Sequence, residues 1–157
     1  MMKDYQKKIL SLFIELELRL AELYRQLAER FIEEGAFFTE QYREELKHAQ
    51  WIEYFMNKVE KGEILFHEDK TRTMTLTTFL GHVQMIIGQA NDSNLSLLKA
   101  LSLVASIEDS LIERKVLEHF DVGAPELRSL MVKLKNETSE HAAKIKQLWK
   151  KHATVRA

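Results

Sequence analysis

Five acidic and imidazole side chains stand where helical patterns would otherwise carry apolar residues. Glu45 and His48 are three residues apart, so on a helix they lie on one face and can bind one ion together. Glu17, Glu108 and His141 interrupt three further apolar patterns. Carboxylate and imidazole groups without thiolate are typical ligands of iron, manganese and zinc. The sequence therefore predicts a metal site formed by Glu17, Glu45, His48, Glu108 and His141.

The burial of several acids in one place makes a cation their expected partner. Each buried carboxylate destabilises a fold by several kcal/mol unless it is protonated, paired with a basic residue or bound to a cation. No lysine or arginine falls in these apolar patterns at the same level. The chain has no cysteine, which excludes disulfides, thiolate nucleophiles, cysteine-bound zinc and iron–sulfur centres. Any metal must be held by carboxylate and imidazole groups.

The elements that position these residues are predicted to be helices. One proline and five glycines among 157 residues leave few helix breakers, and 45% of the residues are hydrophobic. Apolar residues recur three and four positions apart, which is typical of amphipathic helices. They predict helices at about 4–34, 37–60, 93–120 and 125–151, with a connector at 61–92.

Turn and capping residues mark the expected ends of these helices. Gly35 is expected to end the first helix, and Lys61 with Gly62 the second. Ser93 is expected to cap the third helix, and Pro125 fits the first position of the fourth. The break at Gly35 is so short that the first two helices must be antiparallel neighbours.

The connector predicts how the two helical hairpins are joined. Helices of about 25 residues are about 37 Å long at ~1.5 Å per residue, and a connector of thirty residues can cover that distance. It contains one short apolar helix, at about 75–89. We therefore expect a single all-α domain over residues 1–157, a four-helix bundle of two antiparallel hairpins joined by a long crossover. In such a bundle the mid-helix acids and histidines share one layer and converge.

The residues of the first three helices resemble a known family pattern. Glu17 is followed seven residues later by Tyr24, Glu45 and His48 form a Glu-x-x-His pair, and Glu108 stands in ASIEDSLIE. On these residues nearly the whole chain resembles the ferritin-like superfamily, and within it the rubrerythrin-like proteins. The resemblance implies a ferritin-like fold and a di-iron site built from a Glu, a Glu-x-x-His, a Glu and a second Glu-x-x-His. It also implies a role in handling iron, dioxygen or peroxide.

The fourth helix departs from that pattern. Thr138 stands where the family would have a glutamate three residues before His141. Glu137 lies on a neighbouring helical face and Glu140 points well away, so neither replaces the missing carboxylate without local distortion. The expected cofactor is therefore iron as one or two ions, with manganese or zinc as alternatives. Because the chain lacks cysteine, an oxidoreductase of this type would need an external electron donor.

Other assignments of the same residues stay open from sequence alone. Asp109 or Glu113 would face inwards in place of Glu108 if the third helix were rotated. His141 could be a core histidine held by a hydrogen bond, and Tyr24 a core aromatic residue with a satisfied hydroxyl group. A metal-free ferritin-like bundle with a structural or interaction role is the main alternative function. A hydrolase that uses Glu45 and Glu108 as acid and base is the alternative with the least support.

The remaining polar residues are interpreted as surface or connector positions. Four histidines lack companions in the apolar patterns: His67, His82, His119 and His152. The charged runs that include Arg43 and Glu44, and residues 144–151, are interpreted as solvent-exposed helix faces.

Charge and hydropathy limit the expected partners. The formal net charge is -1, with 23 basic and 24 acidic residues interspersed, so no nucleic-acid partner is predicted. No stretch has the 18 or more apolar residues of a membrane span, and the N-terminus MMKDYQKKIL lacks the apolar run of a signal peptide. We therefore expect no membrane partner and a cytoplasmic location. A homo-oligomer is also expected, with a dimer as its simplest form, and the apolar connector helix would contact the second copy or cover the bundle.

Overall fold

The computed structural model describes residues 2–67, 72–109, 119–121 and 125–155. These residues are predominantly α-helical, which confirms the predicted all-α class. The helices are α1 (Asp4–Arg30), α2 (Gly35–Glu60), α3 (Thr73–Ala90), α4 (Leu97–Asp109) and α5 (Pro125–Val155). Among the described helices, none combines the length and the apolar character that crossing a membrane requires.

The turn between α1 and α2 differs from the prediction. Gly35 was expected to stop the first helix, but its φ of -57° and ψ of -40° are helical and it is the first residue of α2. The chain leaves helical geometry at Phe31, where φ is -110° and ψ is 84°. A short 3-10 turn, Ile32–Glu34, then leads into α2. The first helix therefore ends at Arg30 rather than at residue 34, and the turn reverses the chain as expected.

Contacts at both ends show that α1 and α2 are antiparallel. Lys7, near the start of α1, lies 3.3 Å from Glu60 at the end of α2. Phe31, just after α1, packs against Phe38 with ring centroids 6.4 Å apart. The middle of α1 therefore faces the middle of α2.

The C-terminal end of α2 follows the sequence signal. Gly62 has a φ of 75°, a left-handed conformation that a residue with a side chain rarely adopts. Its N–H donates to the carbonyl of Val59, and the N–H of Glu63 donates to that of Lys58, both at 3.0 Å. These two hydrogen bonds satisfy carbonyl groups that the helix end would otherwise leave unpaired.

The third predicted helix starts later in the chain than expected. It begins at Leu97, and the cap is Ser96, whose Oγ accepts the N–H of Lys99 at 3.1 Å. The expected cap, Ser93, is wrong, because the helix begins four residues after it; the Ser93 carbonyl accepts a hydrogen bond from Arg30 at 2.6 Å. At the predicted end, Phe120 lies in a strand, and residues 110–118 lie outside the described residues.

The fourth predicted helix begins where expected, with Pro125 as the first residue of α5. It continues to Val155, four residues beyond the predicted end.

Two short strands join the connector to the segment before α5. Leu65–Phe66 (β1) pairs antiparallel with Phe120–Asp121 (β2), with Phe66 opposite Phe120. The rings of Phe66 and Phe120 are 5.2 Å apart, and Phe55 of α2 packs on Phe120 at 5.3 Å. His119 is buried against Phe66, so its assignment to the surface is wrong. Its position on this aromatic cluster, rather than on a helix face, explains the difference.

The other three histidines confirm the prediction. His67 and His82 are exposed, and His152 is partly exposed.

The connector helix α3 packs on α1. It buries Leu76, Leu80, Val83 and Ile86, which are spaced three and four residues apart. It is somewhat longer than the predicted helix at 75–89 and contains no charged residue.

Candidate metal centre

The five predicted ligands come together from four helices. Glu17 lies on α1, Glu45 and His48 on α2, Glu108 on α4 and His141 on α5. All five are buried. Their ligand atoms form two groups of three in which every atom lies within 4.8 Å of the others. The structure thus brings together residues that are up to 124 positions apart in the sequence.

The first group, here named the His48 triad, consists of Glu17, Glu45 and His48. Nδ1 of His48 lies 3.5 Å from Oε2 of Glu45 and 3.9 Å from Oε2 of Glu17. A zinc ion lies about 2.0–2.2 Å from its nitrogen and oxygen ligands, so the ligands of one such ion are about 3.0–3.5 Å apart. The two distances from His48 are therefore close to those in the ligand set of one ion.

The second group, the His141 triad, consists of Glu45, Glu108 and His141. Nε2 of His141 lies 2.7 Å from Oε1 of Glu45 and 2.9 Å from Oε1 of Glu108. These are hydrogen-bond distances, and the ring nitrogen is aligned for a hydrogen bond with Glu108. A proton on Nε2 occupies the space in which an ion would bind, and small side-chain shifts would open the triad for one.

Glu45 belongs to both triads. Its Oε1 faces His141 and its Oε2 faces His48, and the side chain has no exposed surface. Among the described residues, neither oxygen accepts a well-aligned hydrogen bond. A buried carboxylate with both oxygens in this state is destabilising unless a cation compensates it. Glu45 therefore offers one oxygen to each triad.

The charges of the His141 triad depend on one another. Burial opposes a positive charge on His141, but the adjacent Glu45 and Glu108 carboxylates outweigh it and raise the pKa of His141 far above 6.5. Burial likewise opposes the negative charge of Glu45, but the charge of His141 outweighs that effect and lowers the pKa of Glu45 well below 4.5. Without a metal ion, the triad contains an imidazolium group between carboxylates.

The hydroxyl group of Tyr24 has a hydrogen-bond partner, as expected of a core tyrosine. That partner is the candidate ligand Glu108. The hydroxyl donates to Oε1 of Glu108 at 2.8 Å. The ring meets that of His141 edge-on, with centroids 5.7 Å apart. Tyr24 therefore fixes the position of Glu108 and supports one side of the imidazole. The side chain of Asp109, and Glu113 as a whole, lie outside the described residues, so the alternative third-helix ligands are not described.

Thr138 does not supply a ligand from the fourth helix. Its hydroxyl donates to the carbonyl of Leu134 in its own helix at 2.9 Å. Glu137 pairs with Lys47 at 3.1 Å on the outer side, and Glu140 is exposed. Among the described residues of α5, His141 is the one that belongs to a triad. The positions of Thr138, Glu137 and Glu140 relative to His141 predicted this.

Glu44 is a contact that the sequence interpretation missed. Its Oε2 lies 3.1 Å from Nδ1 of His141, within a hydrogen bond, although the residue was interpreted as solvent-exposed. The hydrogen bond from His141, partly opposed by burial, lowers the pKa of Glu44. On a helix, Glu44 is turned by about 100° from Glu45. No sequence signal separates Glu44 from an exposed position at the edge of the apolar face, because its burial depends on the helix that packs beside it.

Gln41 adds a buried amide one helical turn before Glu45. The side chain is fully buried, and neither its oxygen nor its nitrogen has a hydrogen-bond partner among the described residues. The polar interior of α2 thus extends beyond the two triads.

No family model matches this chain, and neither a curated protein nor a solved structure matches it. Each triad offers two carboxylate oxygens and one imidazole nitrogen, a donor set that suits iron, manganese and zinc. The residues therefore fit such an ion by chemistry, while the distances from the ring nitrogens to the carboxylate oxygens are 3.5 and 3.9 Å at His48 and 2.7 and 2.9 Å at His141.

Proposed function

We propose that this chain is a ferritin-like metalloprotein that holds one or two iron ions between α1, α2, α4 and α5. In this proposal those four helices form a four-helix bundle, and α3 belongs to the crossover between its two hairpins. The ligands are Glu17, Glu45, His48, Glu108 and His141. The observation that carries the proposal is Glu45, which is fully buried with one oxygen in each histidine-containing triad.

The charges of the centre support a cation. Glu17, Glu45 and Glu108 are three buried acids, and His141 brings one positive charge to them. Buried charges are tolerated when they are paired and hydrogen-bonded, and one imidazolium cannot balance three carboxylates if all are ionised. Two divalent ions would bring four positive charges to the three carboxylates and would replace the Nε2 proton of His141. One ion would leave that proton in place if it bound in the His48 triad.

The proposed role of the protein is to handle iron, dioxygen or peroxide at this centre. Iron would supply the redox chemistry, as metal cofactors do in proteins that hold them in a dry cavity. The chain would hold the ion, orient Glu108 through the hydroxyl of Tyr24 and exclude water by burial. A catalytic cycle would need an external electron donor, because the sequence contains no cysteine for an iron–sulfur or rubredoxin-type centre.

A metal-free bundle with a structural or interaction role is the second candidate. It is favoured by Thr138, because this residue stands where the family has a second α5 ligand and its hydroxyl instead donates to the Leu134 carbonyl. It is also favoured by the short contacts of His141, which partly compensate the acids without an ion. The two functions differ in whether the protein takes up metal.

The test is metal analysis of protein purified without chelator, followed by titration with ferrous ion under argon. We expect at least one tightly bound ion per chain, and its loss when Glu45→Ala and His48→Ala are combined. The matched control is Glu53→Ala, which removes an exposed acid from the same helix. If the wild-type chain takes up no ion, the metal-free function replaces the proposed one.

A further inference from the structure

Glu44 is joined to the centre through one side of the His141 ring. Nδ1 of His141 lies 3.1 Å from Oε2 of Glu44, while Nε2 lies between the oxygens of Glu45 and Glu108. The imidazole has no exposed surface. The Glu44 side chain is 26% exposed, and its other oxygen lies 4.0 Å from Nζ of Lys144. Glu44 thus stands between the buried ring and a surface cation.

This contact determines which nitrogen of His141 can bind an ion. Carboxylates flank both nitrogens, and an ion bound at Nε2 takes the place of the proton there, so the N–H that the ring keeps is the one on Nδ1 beside Glu44. With Nδ1–H donated to Glu44, the electron pair is on Nε2 and faces the two other members of the His141 triad. Histidine ligands of metals commonly donate their second N–H to a carboxylate in this way, and loss of that partner typically weakens metal binding by about 10–100-fold.

We propose that Glu44 is a positioning residue for the metal ion of the His141 triad, acting through the hydrogen bond to Nδ1 of His141. The proposal rests on the proposed metal-binding function and adds to it a residue that is not itself a ligand. It also makes the two triads unequal, because Glu44 is placed against His141, whereas His48 lies at the other end of Glu45. Loss of Glu44 therefore weakens binding at the His141 triad first.

The test is titration of wild-type protein, Glu44→Ala and Glu44→Gln with cobalt(II), followed by calorimetry and by the visible absorption of the bound ion. We expect Glu44→Ala to weaken one bound ion by about 10–100-fold, and Glu44→Gln to weaken it less, because an amide oxygen can still accept the N–H. The matched control is Glu40→Ala, which removes an exposed acid one turn earlier that also approaches Lys144, at 3.4 Å. It should bind cobalt like the wild type.

A double substitution separates positioning from a general effect of charge. If Glu44 acts through His141, then Glu44→Ala should add less than a twofold change in cobalt affinity to a His141→Ala variant. A further tenfold loss in that background would overturn the proposal, as would equal affinities of Glu44→Ala and the wild type. Circular dichroism melts show whether each variant folds, and Glu44→Gln decides the matter if Glu44→Ala does not. A wild-type chain that binds no cobalt and no ferrous ion would instead remove the proposed function itself.

Discussion

Oε1 of Glu45 lies 2.7 Å from Nε2 of His141, and neither side chain has any exposed surface. This pair links α2 to α5 in the interior. In the absence of metal it is an ion pair, since the pKa of His141 is raised and that of Glu45 is lowered. In the proposed function the same two atoms become ligands when an ion replaces the proton. Stability and the proposed metal binding would then depend on the same residues.

Replacing His141 by alanine should strongly destabilise the metal-free protein. The substitution leaves Glu45 and Glu108 buried without their cation, a change that typically costs about 3–5 kcal/mol. Urea unfolding at neutral pH with chelator present measures the difference. The control is His82→Ala on the exposed side of α3, which should change the free energy of unfolding by less than about 0.5 kcal/mol. Equal stabilities of the two variants would contradict the ion pair.

The stability of the metal-free protein should be greatest between about pH 4.5 and pH 6.5. The raised pKa of His141 gives a contribution that is complete below its unfolded value of 6.5 and falls as pH rises above it. The lowered pKa of Glu45 gives a contribution that is complete above its unfolded value of 4.5 and is lost as pH falls below it. Thermal melts from pH 3 to pH 9 measure this profile. In the His141→Ala variant the decline above pH 6.5 should become shallower.

Replacing Thr138 by glutamate should have opposite effects with and without metal. A new carboxylate beside the triads adds an uncompensated buried charge, so the metal-free protein should lose about 3 kcal/mol or more. The same carboxylate would add a ligand, so an ion should stabilise the variant more than it stabilises the wild type. Calorimetric melts with chelator and with cobalt(II) measure both effects. Thr138→Val, which removes only the hydroxyl bonded to Leu134, is the control.

Replacing Gln41 by methionine should stabilise the protein. The buried amide has no hydrogen-bond partner among the described residues, and an apolar side chain of similar length removes a cost of about 1–3 kcal/mol. Chemical unfolding measures the gain. Gln50→Met on the exposed side of α2 controls for added hydrophobicity and should leave stability nearly unchanged. If Gln41→Met is less stable than the wild type and Gln50→Met is not, the Gln41 amide has a partner such as a bound water.

The sequence was most informative where one periodic pattern determined the outcome. The apolar spacing predicted α2 almost to the residue and identified Glu45 and His48 as inward-facing. It could not locate Glu44, because a residue at the edge of the apolar face is exposed or buried according to the helix that packs beside it. It also could not choose Ser96 over Ser93 as a cap, since both precede the same apolar pattern. The expected homo-oligomer and the cytoplasmic location remain predictions.

The separation of the ligands along the chain has a kinetic consequence. Glu17 and His141 are 124 residues apart, so the centre is complete only after nearly all of the chain has folded. Contacts that form so late contribute little to the folding transition state and act mainly on the rate of unfolding. A bound ion should therefore leave the folding rate nearly unchanged and lengthen the lifetime of the native state. The protein would then resist unfolding by protease or heat for as long as it keeps its metal.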